Sequence, residues 1–215
     1  MKNIEILFED DFLIIINKPA GLAVQGGKGV KSSVDKILAE IRAPAPLLVH
    51  RLDKDTSGIL AAAKGKQAAA LISGLLKSGG KTVKQYTAVC SGIPAKKEGV
   101  IAFDLDIRGS MKNSETRYKV IKSGKLPLIN EQQETEYSVL EIELGSGRMH
   151  QIRRHLAMIG HPVLGDDKYG DFSLNKKLRK TGIKRLLLHA ARLTFKEGHR
   201  LDVYAAPPQY FKIFI

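Results

Sequence analysis

Two stretches carry residue types that could do chemistry. In Leu48-Val49-His50-Arg51-Leu52-Asp53, strand alternation puts Arg51 and Asp53 on one side, where a strand gives way to the polar turn Asp53-Lys54-Asp55-Thr56-Ser57-Gly58. An acid is thereby displayed at the rim of a sheet. A turn aspartate that only accepts backbone N–H groups has the same spacing, so both readings stand. The second stretch is Gly145-Ser146-Gly147-Arg148-Met149-His150-Gln151-Ile152-Arg153-Arg154-His155-Leu156. Met149, Ile152, Leu156 and Ile159 predict an inward apolar stripe at helical spacing. Arg148, Arg153 and Arg154, with His150 beside them, then crowd a helix start whose dipole is already positive. An anion must offset them. Candidates are an RNA phosphate and a protein carboxylate gripped by a bidentate arginine; a solvated basic helix end is the plainer reading.

The charge balance narrows the partner. Of 215 residues, 35 are Lys or Arg and 22 Asp or Glu, a net charge of +13, which favours a polyanion: nucleic acid first, an anionic membrane second. One basic stretch holds Lys176, Lys177, Arg179, Lys180, Lys184 and Arg185, following Asp171 as its only acid. Another holds Lys112, Arg117, Lys119, Lys122 and Lys125 against Glu115, while Glu131, Glu134 and Glu136 gather elsewhere. Both read as phosphate-tracking surfaces. Seven phenylalanines, six tyrosines and no tryptophan argue against a platform for stacking single-stranded bases. The single cysteine, Cys90, cannot form an internal disulfide, and neither a membrane-length apolar run nor a basic signal segment is found, so a soluble cytoplasmic protein is expected.

Other chemistries fail on spacing. Gly26-Gly27-Lys28-Gly29-Val30-Lys31-Ser32 places Val30 where a phosphate-binding loop needs glycine next to Lys-Ser, and Gly74 lies one residue too far from Gly79-Gly80-Lys81-Thr82. His50-Arg51-Leu52-Asp53 has the wrong order for a kinase catalytic loop. His150 and His155 stand five apart, off the four-residue step that aims two imidazoles at one metal, so no metal site is expected.

The elements that must position these residues follow from pattern. Ile4–Phe8 and Phe12–Ile16 predict a hairpin, and Ser32 or Ser33 starts a helix to Arg42 with Val34, Ile37, Leu38 and Ile41 inward. Strand ends at Leu47–Val49 and Ile59–Ala63 flank the acidic turn, and a helix spans Gln67–Leu76. Strands are predicted at Val83–Cys90, Gly99–Asp106, Thr116–Ile121, Thr135–Leu144, Leu186–Phe195 and Arg200–Tyr204, with a helix over Met149–Ile159 ended by Gly160. No repeat, low-complexity tract or long linker divides the chain. The expectation is one α+β domain, residues 1–215, on a mixed, largely antiparallel sheet flanked by a few helices.

His50-Arg51-Leu52-Asp53-Lys54-Asp55-Thr56-Ser57-Gly58 resembles the signature of the RluA-type pseudouridine synthases. Further blocks of that family follow in order: Lys18-Pro19-Ala20-Gly21, Lys84-Gln85-Tyr86-Thr87-Ala88, Gly147 to Arg153, Gly160-His161-Pro162 through Gly165-Asp166, and Leu188-His189-Ala190. The resemblance implies the pseudouridine-synthase catalytic fold and isomerisation of uridine in structured RNA, without metal, nucleotide or redox cofactor. It implies that Asp53 is the catalytic aspartate, that Arg148 is the active-site arginine whose fork can pair with and orient it, and that Tyr86 contacts the flipped base or handles the C5 proton. Arg51, His150, Arg153 and Leu188 make up the implied substrate-binding set, Arg51 and Arg153 as phosphate or turn-holding contacts and Leu188 as an apolar wall or core residue. Because a stacked uridine must be extruded, phosphate contacts would supply the opposing free energy. Many relatives carry an S4-type RNA-binding domain ahead of the catalytic domain, and this chain is expected to lack it. Asp167-Lys168-Tyr169-Gly170-Asp171 and the basic stretch after it look most like members acting on large-subunit ribosomal RNA, with transfer RNA open. A monomer without an obligate protein partner is expected. A catalytically silent RNA-binding or ribosome-assembly factor is the competing reading; a nucleoside hydrolase would need a second acid, and Asp55 reads as turn chemistry.

Overall fold

The computed structural model describes residues 4–78, 80–107, 109–126, 135–144, 147–198 and 200–215. In chain order its elements are β1 (Glu5–Glu9), β2 (Leu13–Lys18), α1 (Val34–Ile41), β3 (Leu47–Leu48), β4 (Ser57–Ala63), α2 (Lys66–Lys77), β5 (Thr82–Ser91), β6 (Glu98–Ile101), β7 (Leu105–Asp106), β8 (Met111–Lys112), β9 (Thr116–Lys125), β10 (Glu136–Leu144), α3 (Gln151–Met158), α4 (Phe172–Lys180), β11 (Leu188–Phe195) and β12 (Leu201–Tyr204). This is the expected α+β class with antiparallel pairing. Contacts group the chain into two compact units, residues 1–84 with 190–206 and residues 85–189 with 207–215. Among the described residues no helix is long and apolar enough to cross a membrane.

In the first unit, β1 and β2 form the predicted hairpin, turned by Asp10, whose Oδ1 accepts the N–H groups of Phe12 and Leu13, each at 2.8 Å. β2 pairs antiparallel with β4, and β3 pairs with β4 at Leu47 and Leu48. Leu13, Ile15, Ile59 and Ala61 pack with Ile72, Leu75 and Leu76 of α2. The alternate residues Ile14, Ile16, Leu60 and Ala62 are just as buried, so these central strands are covered on both faces. Gly58 sits at φ +108°, and a Cβ there would lie 2.2 Å from the carbonyl oxygen of Ala190, so only glycine lets β4 approach that backbone. α1 begins after Ser33 as expected, but the Ser33 hydroxyl bonds the Asp35 carboxylate instead of capping the helix. Ile41, expected inward, is exposed in the last turn.

In the second unit the strand order is β5, β10, β9, β6, all antiparallel. Its core joins Val89, Val139 and Ile142 to Ile152 and Leu156 of α3, Leu174 and Leu178 of α4, and Phe211 and Phe214. The single strand expected over Gly99–Asp106 is two, because β6 pairs with β9 whereas β7 pairs with β8 in a separate hairpin. Between them the carbonyl of Phe103 turns out of the ladder to meet His155 Nε2 at 3.0 Å. α4 was not expected. Met149, expected inward, precedes α3 and is half exposed, while Ile152 and Leu156 pack as predicted.

Glu136, read from sequence as segregated from the cations of residues 112–125, stands directly opposite Lys125 across β9 and β10. Glu131, Glu134, Gly145 and Ser146 lie outside the described residues.

Candidate active site

In the first unit, Asp53 lies in an irregular segment between β3, which ends at Leu48, and β4. Strand alternation therefore does not orient Arg51 and Asp53, contrary to the sequence reading. Leu52 is buried, Arg51 exposed and Asp53 partly buried, and the Asp53 carbonyl accepts the Thr56 N–H at 3.2 Å to close the turn. His50 works from behind this turn. Its Nε2 accepts the N–H of Ala61 in β4 at 2.9 Å, and burial together with the nearby Lys84 charge pushes its pKa down to about 4. It is a neutral strap from the turn to the sheet.

Lys18, fully buried at the end of β2, holds the same turn from the other side. Its Nζ donates to the carbonyls of Leu22 and Lys54, each at 2.9 Å, and Pro19 at 3.1 Å, while the Gly21 N–H also reaches the Lys54 carbonyl at 2.9 Å. Burial pushes the Lys18 pKa down to about 8, against the pull of the Asp55 and Asp53 carboxylates. The ammonium is thus clamped at the peptide between those two acids, where charge-assisted bonds of roughly 1.5–3 kcal/mol each offset only part of its desolvation. Lys18 was absent from the sequence-derived site. The signal was the Lys18-Pro19-Ala20-Gly21 block, a lysine closing the strand Leu13-Ile14-Ile15-Ile16-Asn17.

In the second unit, Arg148 is exposed just before α3. Its N–H donates to Gln151 Oε1 at 3.0 Å, and the Gln151 N–H returns to the Arg148 carbonyl at 3.1 Å. The buried Gln151 amide also donates to the Glu115 carbonyl at 2.8 Å and to Thr116 Oγ1 at 3.1 Å. Thr116 lies 3.0 Å from Nδ1 of the fully buried His155. Because the Phe103 carbonyl can only accept, His155 Nε2 is the protonated nitrogen and Nδ1 takes the threonine hydroxyl. Burial lowers the His155 pKa, so this chain of neutral groups ties the arginine segment to β9. A glutamine three residues after Arg148, in the first helical turn, is the reach-back pattern by which it could have been found.

His150 adopts φ 53° and ψ 28°, the one described non-glycine residue in the left-handed region. That conformation is costly for a side chain with a Cβ, though histidine tolerates it better than most. Its Nδ1 lies 3.0 Å from the Tyr169 hydroxyl, with the rings edge to face. Arg153, next along α3, is buried, and its Nε and Nη2 each donate to a different oxygen of the buried Asp166 at 2.7 Å. Asp166 Oδ1 also accepts the N–H groups of Lys168 and Tyr169, and the Arg153 guanidinium lies 5.3 Å from the Tyr169 ring centre. Burial opposes ionisation of Asp166, but the Arg153 fork and these N–H groups outweigh it and hold its pKa low. The Arg153 fork thus lies on the Asp166 carboxylate of the Gly165–Asp166 turn. Asn175 of α4 completes the link, accepting the Gly165 N–H and donating to the Asp166 carbonyl, both at 2.8 Å.

Tyr86 is partly buried on β5 opposite Ile142 of β10 and packs against the core of this unit. Leu188 belongs to that core. A cavity of about 370 Å³ beside β6, lined by Val100, Phe103, Tyr118, Ile159 and His161 among others, takes in none of the sequence-derived site residues. Among the described residues no cluster of three or more His, Cys, Asp or Glu could hold a metal ion. The second unit groups Arg148, His150, Gln151, Arg153, Asp166 and Tyr169, and the first builds a lysine-clamped turn around Asp53.

Comparison with known proteins bears on this arrangement. A family model described as RNA pseudouridylate synthase matches residues 12–158. The ribosomal large subunit pseudouridine synthase C of Haemophilus influenzae is 39% identical, the match covering 98% of this chain and 67% of that one. The protein of the same name from Buchnera aphidicola is 34% identical over 98% of this chain and 69% of its own, and that from Haemophilus ducreyi 36% over 89% and 61%. The chain thus spans about two thirds of the length of these relatives. Among solved structures, human RNA pseudouridylate synthase domain containing 4 superposes with a TM-score of 0.77 at 26% identity, covering 97% of this chain and 90% of that one. Human RNA pseudouridylate synthase domain containing 1 gives 0.76 at 25%, covering 96% and 84%.

Proposed function

The chain belongs to the RNA pseudouridylate synthase family, an enzyme class that isomerises uridine in RNA, and on that premise we propose that it converts specific uridines of large-subunit ribosomal RNA to pseudouridine. Residues 1–215 act as one catalytic domain, a monomer working in the cytoplasm. Asp53 is the catalytic carboxylate. The bond from C1′ to N1 breaks, the uracil turns, C1′ joins C5, and the proton displaced from C5 leaves to solvent while N1 gains one. Asp53 assists by attack at C1′ or C6 or by proton removal. Tyr86 meets the turned base and handles the C5 proton. Arg148 offers a bidentate fork to an oxyanion, Leu188 an apolar wall, and Arg51 and His150 contact RNA beside the everted nucleotide.

The observation that carries this reading is the Asp53 turn itself: nine residues of family signature whose middle peptide is chelated by a buried lysine. The clamp fixes the backbone that carries the acid, at a cost in desolvation of the ammonium. The ribosomal target rests on the names of the relatives at 34–39% identity. Chemical mapping of pseudouridine in ribosomal and transfer RNA from a strain lacking the gene tests it. Loss at one or more large-subunit positions, restored by wild type, is expected. Loss confined to transfer RNA would move the target, and loss nowhere would favour the silent binding factor.

A further inference from the structure

The sequence holds two basic stretches that look equivalent, and the fold separates them. On β9, Lys119 stands opposite Glu141 of β10 and Glu98 of β6, Arg117 opposite Glu143, and Lys125 opposite Glu136. Directly opposed residues of paired strands share a face, so these cations sit in a lattice of alternating sign. Arg117 is ion-paired with Glu115 at 2.6 Å as well. On α4 the arrangement is different. Leu174, Asn175 and Leu178 face inward, while Lys176, Lys177, Arg179 and Lys180 are exposed, followed by exposed Lys184 and Arg185. The sequence places no Asp or Glu between Asp171 and Glu197, and Asp171 is occupied capping the helix at the Leu174 N–H.

We propose that α4 and the turn after it form a second RNA-docking surface, a ridge that runs along the phosphodiester backbone of the RNA flanking the target uridine, and that the β9 stretch contributes little to it. This rests on the reading of the chain as an RNA enzyme. Lys176 and Lys180 stand one turn apart, about 6 Å along the helix, on the side away from the core. The ridge is rigid before any partner arrives. Leu174 and Leu178 pack in the core, and Asn175 bonds both sides of the Gly165–Asp166 peptide, the turn that Arg153 of α3 also grips. RNA held on α4 is thereby held in fixed relation to the Arg148 segment that opens α3. A membrane surface fits less well, because an interfacial helix needs its apolar face outward and α4 buries that face.

The test is the salt dependence of RNA binding for wild type, Lys176→Gln/Arg179→Gln/Lys180→Gln/Lys184→Gln, and Lys119→Gln/Lys122→Gln/Lys125→Gln, each first checked by thermal melting. The probe is a large-subunit ribosomal RNA transcript. A cation on phosphate contributes roughly 0.7–0.9 to the slope of log K against log salt, so the fourfold α4 variant should lose about 3 from it and the β9 variant less than about 1. In turnover assays the α4 variant should raise KM at least about tenfold with kcat at saturating RNA unchanged. An unchanged slope in the α4 variant, or equal losses in both, overturns the proposal while wild type still binds and turns over RNA. So does an α4 variant that loses only binding to phosphatidylserine vesicles. A wild type that neither binds RNA nor isomerises it removes the functional reading itself, and this inference with it.

Discussion

The turn that carries Asp53 and the turn that carries Arg148 are held in opposite ways. The first unit spends one buried ammonium, Lys18, on three backbone carbonyls, with a neutral histidine tying the turn to β4. The second uses a mesh: a reciprocal Gln151 link, a neutral Thr116–His155 relay, a buried Arg153–Asp166 pair, and a tyrosine on a left-handed histidine. A single charged clamp positions an acid with few parts but depends on one proton. A mesh spreads the load and keeps the ends of α3 and α4 in register. The two supports should therefore answer pH with opposite sign: loss of the Lys18 proton in alkali relieves a buried charge and adds stability, whereas protonation of Asp166 in acid removes it.

The largest effect should come from breaking the mesh at its ion pair. Arg153→Ala leaves Asp166 buried without its fork and should cost about 3–5 kcal/mol in urea unfolding at neutral pH. The Asp166 pKa is lowered on folding, so the stability it contributes is complete above the unfolded value of about 4 and is lost as pH falls through the lower folded value. The gap between wild type and variant should therefore narrow in acid. A gap that is small at pH 7 or constant down to pH 2 would show that the pair is not what holds the mesh.

For the clamp the sign is reversed. Lys18 titrates at about 8 when folded against the ordinary 10.5, so between these values the folded chain binds fewer protons and becomes more stable as pH rises. The gain is about 3 kcal/mol if the whole shift is expressed. Lys84 is shifted the same way by burial, so the informative quantity is the difference between wild type and Lys18→Met, which should lose most of the rise. Parallel profiles would mean that Lys18 is not held as a buried ammonium. The smallest effect is expected at Tyr169→Phe, which removes one hydroxyl from His150: about 1 kcal/mol of stability, and a fall of about threefold to tenfold in kcat with KM steady. Adding His150→Gly, which takes the left-handed conformation freely, should recover part of that fall if the backbone at 150 is what matters. No recovery would mean that the imidazole itself meets RNA.

Much of the frame was legible because it is local. The β1–β2 hairpin, α2 and the strand pair around the acidic turn follow from alternation, helical spacing and turn residues between Ile4 and Leu76. What failed is long-range. β6 and β7 pair with different strands, and between them the Phe103 carbonyl meets His155 Nε2, some fifty residues away in sequence. The cations of α4 masked Leu174 and Leu178 four apart and the capping Asp171, although all three were in view. Asp53 and Arg148 stood out by type and neighbours, whereas Lys18, Gln151 and Asp166 act through burial and hydrogen bonds that a sequence shows only as ordinary polar residues. The acids facing β9 could be counted, but only the register places them opposite its lysines.

The functional reading stands or falls on the Asp53 carboxylate, carried by the turn whose Lys54 carbonyl Lys18 clamps, being the group that does chemistry. Release of tritium from a large-subunit ribosomal RNA transcript labelled with 5-³H-uridine, measured for wild type and for the isosteric Asp53→Asn, tests it most directly. Stoichiometric release by wild type and none above background from a variant with unchanged melting temperature and RNA affinity is the predicted result. Release by Asp53→Asn within about tenfold of wild type, far less than loss of a catalytic nucleophile produces, would contradict it.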